Sequence, residues 1–103
     1  PAYRPWMPTP APAEVLRFIA ANVRRHRTQR GLTQAALAEI ADLDVRFIQR
    51  VERADTNLGV IGLVQLASAL EVTPSALLRA ATLRPATRGR PKTSKSRRPM
   101  RRI

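Results

Sequence analysis

Four polar side chains at helical spacing carry the chemistry of this chain: Arg46, Gln49, Arg50 and Arg53, with Val45 beside them. On a helix, residues three and four apart stand on one face, so these five form a single stripe. An arginine fork matches the two acceptors on a guanine edge, and a glutamine carboxamide matches the donor and acceptor on an adenine edge. A valine methyl packs against the methyl of thymine. Such a stripe is what a helix needs to read base pairs in a major groove. Competing chemistries lack their residues. The chain has no cysteine and one histidine, His26, which argues against a zinc site or histidine-based catalysis. It carries no paired-carboxylate cluster and no glycine-rich phosphate loop, so neither enzymatic activity nor a cofactor is expected.

Two short helices joined by a tight turn, over residues 33–53, would position the stripe. Thr33 reads as the N-cap of the first, with Leu32 and Leu37 as the flanking apolar staple, and Asp44 repeats the device with Leu43 and Ile48. Leu37, Ala38, Ile40 and Ala41 supply the apolar face of the first helix, and Phe47, Ile48 and Val51 that of the second. The pair reads as a helix-turn-helix whose second member is the reader.

The flanking sequence divides the chain into three parts. Residues 1–12 contain five prolines and read as an extended arm bearing Tyr3 and Trp6. Residues 13–83 form one domain. A first helix over 13–30 presents Leu16, Ile19 and Val23 on one face and Arg17, Arg24, Arg25 and Arg30 on the other, and stops at Gly31. A loop over 54–59 leads to a fourth helix over 60–70, with more apolar residues than one buried face requires. Thr73 and Pro74 open a fifth helix reaching about Ala81. Part of the apolar surface of these last two helices is available to a subunit interface. Residues 84–103 hold 9 Arg or Lys and no acid, against 10 and 7 in residues 1–83, so most of the formal net charge of +12 sits in a basic tail. Such a tail favours a polyanion, and nucleic acid over membrane because it has almost no apolar residues to insert. No apolar run spans a bilayer and no secretory signal is evident, so a cytoplasmic, nucleoid-associated protein is expected.

Residues 23–78 resemble the Xre or lambda-repressor-like family of helix-turn-helix domains, of the Cro and phage-repressor type. The likeness rests on Arg27 with Gly31, Leu32, Thr33 and Gln34; on Leu37 with Ala38; on Ile48 with Val51 and Glu52; and on Leu63, Leu66, Ala67, Ala69, Leu70, Pro74 and Leu77. It implies an all-α fold of five helices, binding double-stranded DNA as a homodimer. It places Val45, Arg46, Gln49 and Arg50 at base edges, Thr33, Gln34, Arg53, Thr56 and Asn57 at phosphates or flanking bases, and Arg27 with Glu52 in a structural ion pair. Asp42 and Ala54 stand where the family usually has glycine, and Leu58 where it often has proline. In the tail, Arg88, Gly89, Arg90 and Pro91 look like the core of an AT-hook, in which glycine lets arginines lie along a narrow minor groove.

These features point to a sequence-specific transcriptional regulator whose tail adds phosphate or minor-groove contacts. The same fold also serves antitoxins and restriction-modification controllers. Outside that class stand an architectural DNA-binding protein driven by the tail and a protein adaptor, for which exposed Arg46 and Arg50 have no use.

Overall fold

The computed structural model describes residues 8–83, which form five helices: α1 (Pro12–Gln29), α2 (Gln34–Ala41), α3 (Val45–Glu52), α4 (Gly59–Leu70) and α5 (Pro74–Leu77). Helix α1 starts one residue earlier than the proline count implies, because Pro12 occupies its first turn, where a missing N–H costs nothing. Its other end closes on Arg30 and Gly31 (φ +69°). The Gly31 N–H donates to the Thr28 carbonyl (3.0 Å) and the Leu32 N–H to the Arg27 carbonyl (3.0 Å), a Schellman closure. Thr33 Oγ1 then accepts from the Ala36 N–H (3.0 Å), and Asp44 Oδ1 from the Arg46 N–H (2.7 Å), starting α2 and α3. Between them Asp42 adopts the left-handed conformation (φ +58°) that closes the turn, a region aspartate visits more readily than most residues.

The core is built from one stripe of each helix. Val23, Leu37, Ile48, Leu66, Leu70 and Leu77 are fully enclosed, with Ile19, Ala38, Ala41, Val51 and Ala67 around them. Helix α1 lies across α3, α4 and α5, while α2 packs between α3 and α4. Replacing one of the enclosed leucines with alanine would cost about 2 to 5 kcal/mol. Gly62, buried in α4, admits the reading helix closely, since a Cβ there would stand 3.2 Å from Phe47 Cζ.

Two expectations fail, one about the apolar face of α2 and one about the length of α5. Ile40 is 57% exposed rather than part of the buried face of α2. The buried stripe is Leu37, Ala38 and Ala41, and Ile40 falls roughly 100° around the helix from its centre. Helix α5 ends at Leu77, four residues short of Ala81, because buried Asn22 of α1 captures the chain there. Its Nδ2 donates to the carbonyls of Leu77 (3.0 Å) and Arg79 (2.8 Å), offering the backbone a partner other than a further helical turn.

The end of α3 repeats the closure of α1 without its glycine. Ala54 takes φ +57°, its N–H donates to the Val51 carbonyl (3.0 Å), and the Asp55 N–H reaches the Arg50 carbonyl (2.9 Å). An alanine Cβ in that region is strained, so Ala54→Gly is expected to stabilise the domain by about 1 kcal/mol. A urea titration checks this: the midpoint should rise, and an unchanged or lower midpoint would contradict the assigned strain.

Candidate nucleic-acid interface

Helix α3 has two unlike sides. Ile48, Val51 and Glu52 are buried, whereas Arg46, Arg50 and Arg53 are exposed and Gln49 is half-buried at the boundary. Arg46 and Arg50 stand one turn apart on a rod about 12 Å long, a size that a major groove admits. No carboxylate among the described residues lies within ion-pair distance of Arg46, Arg50 or Arg53. Val45 sits lower than the four polar side chains. It is half-buried and packs against the core, so only its outer part borders the arginines.

Behind this surface lies one buried carboxylate. Glu52, with its side chain 2% exposed, accepts two charge-assisted hydrogen bonds from Arg27, Nε to Oε2 at 2.6 Å and Nη2 to Oε1 at 2.9 Å. Gln34 Nε2 donates to Oε1 (3.1 Å), and Arg24 Nε stands 3.7 Å from the same oxygen. Arg27 Nη1 also donates to the Leu32 carbonyl (2.8 Å), and Arg24 Nη2 to the Glu52 carbonyl (3.1 Å). Helices α1, α2 and α3 therefore meet at this group. A bidentate arginine and a further donor meet the hydrogen-bonding demand of a carboxylate removed from water.

The network changes what Gln34 offers. One amide N–H is committed to Glu52, leaving the carboxamide oxygen and the second N–H in a fixed orientation. Thr33 is exposed and its oxygen is engaged as the α2 cap, which leaves its hydroxyl hydrogen and the first N–H groups of α2 for an outside acceptor. In the loop after α3, Thr56 is half-buried and Asn57 is exposed. Asn57 Oδ1 accepts from the Gly59 N–H (3.3 Å), turning the amide donors outward. Arg88, Gly89, Arg90 and Pro91 lie outside the described residues, as do Tyr3 and Trp6.

Sequence reasoning passes over Asn22 and the bridging role of Arg24. Asn22 falls on the Ile19 and Val23 side of α1, and a polar residue on an apolar stripe is the signal that could have found it. His26 is held below its ordinary value of 6.5 by burial, then by the charges of Arg25, Arg30 and Arg79. Among the described residues no group of three or more His, Cys, Asp or Glu could hold a metal ion, and no helix is long and apolar enough to cross a membrane.

A family model described as helix-turn-helix matches residues 23–77, from the middle of α1 to the last residue of α5. The chain belongs to the helix-turn-helix family. It is thereby a DNA-binding transcription regulator rather than an enzyme. Control protein C.SmaI of Serratia marcescens is 37% identical over 65 residues, which cover 63% of this chain and 77% of that protein. Among solved structures, the restriction-modification controller protein C.AhdI from Aeromonas hydrophila is similar at 34% identity and a TM-score of 0.58, over 60% of this chain and 94% of the other. The hypothetical transcription factor NHTF from Neisseria is similar at 28% identity and a TM-score of 0.64, over 72% and 85%. The matched span holds Arg27, Gln34 and Glu52 as well as α3, so the helix-turn-helix unit includes the buried network behind its reading face.

Removing one partner of that network leaves the other charged and dry. Glu52→Ala is expected to cost about 3 to 5 kcal/mol in urea denaturation, whereas the paired replacement Arg27→Met with Glu52→Leu is expected to cost far less. Equal losses from the single and the paired change would show that the charges matter only through the volume they fill.

Proposed function

We propose that this chain is a homodimeric regulator that reads a two-fold symmetric operator with α3. Arg46 and Arg50 engage guanine edges, Gln49 reaches an adjacent base, and the outer part of Val45 packs on a thymine methyl. Thr33, Gln34, Arg53, Thr56 and Asn57 hold the phosphates on either side and so fix the register. The observation that carries this reading is the pair Arg46 and Arg50, exposed one turn apart on a helix whose opposite side is sealed into the core. Cations set out rigidly in this way, without carboxylate partners among the described residues, are primed for an anionic surface with edges to read.

The second copy is assigned to α4. Val60 and Ile61 are 76% and 77% exposed and Val64 stands one turn on, an apolar strip that a solvated helix has no reason to keep. A two-fold operator requires that this pairing set the two reading helices about one DNA turn apart, roughly 34 Å. The regulated operon is one of restriction-modification genes. The likeness to controller proteins, at 37% and 34% identity, supports this. The chain is divided for this task into the arm of residues 1–12, the reading domain of 13–83 and the basic tail of 84–103, whose Arg88, Gly89, Arg90 and Pro91 supply minor-groove contacts.

Selection of bound sequences from random DNA tests the reading directly. The unaltered chain is expected to yield a palindromic consensus, and Arg46→Ala to relax one position in each half-site by about 1 to 3 kcal/mol. A consensus without symmetry would remove the dimer, and an unchanged consensus in the variant would remove Arg46 as a reader. Deleting residues 84–103 should flatten the dependence of affinity on salt while leaving the consensus alone. Loss of sequence preference on that deletion would transfer the reading role to the tail.

A further inference from the structure

The arginines of the described residues divide by what compensates them. Arg24 and Arg27 lie at ion-pair distance from Glu52, 3.7 and 2.6 Å, and Arg30 lies 2.7 Å from Glu71. Among the described residues, Arg17, Arg25, Arg46, Arg50, Arg53 and Arg79 have no such carboxylate. Arg46 and Arg50 stand on α3, and Arg53 caps its end. The others gather elsewhere: Arg17 and Arg25 on the solvent side of α1, and Arg79 just beyond α5.

Spacing puts Arg17, Ala21, Arg24, Arg25 and Thr28 along one side of α1. Between that stripe and the chain following α5 runs a groove of about 460 Å³, lined by Ala21, Arg24, Arg25, Thr28, Ala81 and Thr82. Two alanines keep it open and two guanidinium groups border it. Asn22 holds its far wall through the bond to the Arg79 carbonyl (2.8 Å), and Asn22 Oδ1 accepts from Arg25 Nη2 (3.2 Å). Toward α3 the groove is bordered by Arg24, whose Nη2 donates to the Glu52 carbonyl (3.1 Å), one residue before exposed Arg53. Arg24 thus places the α1 stripe next to the C-terminal end of the reading helix.

Helix-dipole stabilisation does not account for it. That effect is confined to the last turn of α1, whose basic residues are His26 and Arg27, and it reaches neither Arg17 nor Arg25. Neighbouring like charges on a helix repel one another, and a polyanion relieves them.

We propose that this groove and its arginine stripe seat the phosphodiester backbone of double-stranded DNA flanking the sequence that α3 reads, on the side of the C-terminal end of α3. The proposal rests on α3 as the reader and adds a second contact with the same duplex. The Thr28 hydroxyl already donates within α1, to the Arg24 carbonyl (2.9 Å), and Arg24 is engaged with Glu52, so the donors are the guanidinium groups of Arg25 and Arg17 and the Thr82 hydroxyl. The chain continues from this groove into residues 84–103, with their 9 basic residues and no acid, so the attachment point of that charge stands beside the same stretch of backbone.

The test compares the full chain with its double variant Arg17→Gln, Arg25→Gln on two duplexes bearing the selected site. One is trimmed to the site, and the other extends about ten base pairs, one helical turn, beyond each end. On the long duplex the slope of log affinity against log salt should fall by about two in the variant, since each neutralised phosphate contributes about 0.9. On the trimmed duplex the two proteins should bind alike, with the same consensus. Arg17, exposed and without a side-chain hydrogen bond among the described residues, gives a single variant that keeps folding out of the comparison, with an expected loss of about one. Equal slopes on the long duplex, or the same loss on both duplexes, would overturn the proposal and leave α3 as the reader. Failure of the unaltered chain to select any sequence would overturn that underlying reading instead.

Discussion

A single buried carboxylate fixes the relation of the three helices on which the rest depends. Glu52 is the last residue of the reading helix, and its partners belong to α1 and to the first turn of α2. A charge removed from water tolerates few arrangements, since each lost hydrogen bond costs more than an ordinary surface contact returns. Apolar packing around Leu37 and Ile48 supplies the driving force for folding but is not directional. The bidentate Arg27 pair is directional, and it sets the reading helix at a defined angle to the residues expected at the phosphates. The same group that closes the fold also orients Gln34, a residue proposed to hold phosphate.

That rigidity matters because base reading needs side chains held on a firm support. Caps at Thr33 and Asp44 begin the two helices within a residue of fixed points, and a left-handed Asp42 sets the turn between them. Phe47 on the inner side of α3 rests over Gly62 of α4, so the reading helix is braced from behind by the helix that carries the apolar strip. Affinity and discrimination then separate physically. In the proposed complex, phosphates are met by charge distributed over α1, α3 and the residues beyond α5, whereas base edges are met by two or three side chains on one face.

Much of this was legible in the chain, for local reasons. Thr33 and Asp44 announce helix starts because a short side-chain oxygen ahead of an apolar run has few other uses, and Gly31 announces a stop because it alone enters the left-handed region without cost. The polar side of α3 could be read because, at the same helical period, it stands plainly out of phase with Ile48 and Val51. What escaped depended on distant partners. The end of α5 is decided by Asn22, 55 residues away from Leu77, and no periodicity reports that. Ile40 looked buried on type alone, but a helix as short as α2 covers only one narrow stripe. The commitment of Gln34 to Glu52 is likewise a product of packing, as is the inward draw on Val45.

The central claim is that α3 enters the major groove and reads guanines there. Dimethyl sulfate distinguishes this from binding driven by the tail, because it methylates guanine N7 in the major groove and adenine N3 in the minor groove. In the complex of the full chain with its selected site, guanine N7 positions are expected to be protected in two symmetric clusters, one in each half-site. Protection confined to adenine N3, with every guanine N7 as reactive as in free DNA, would contradict the account.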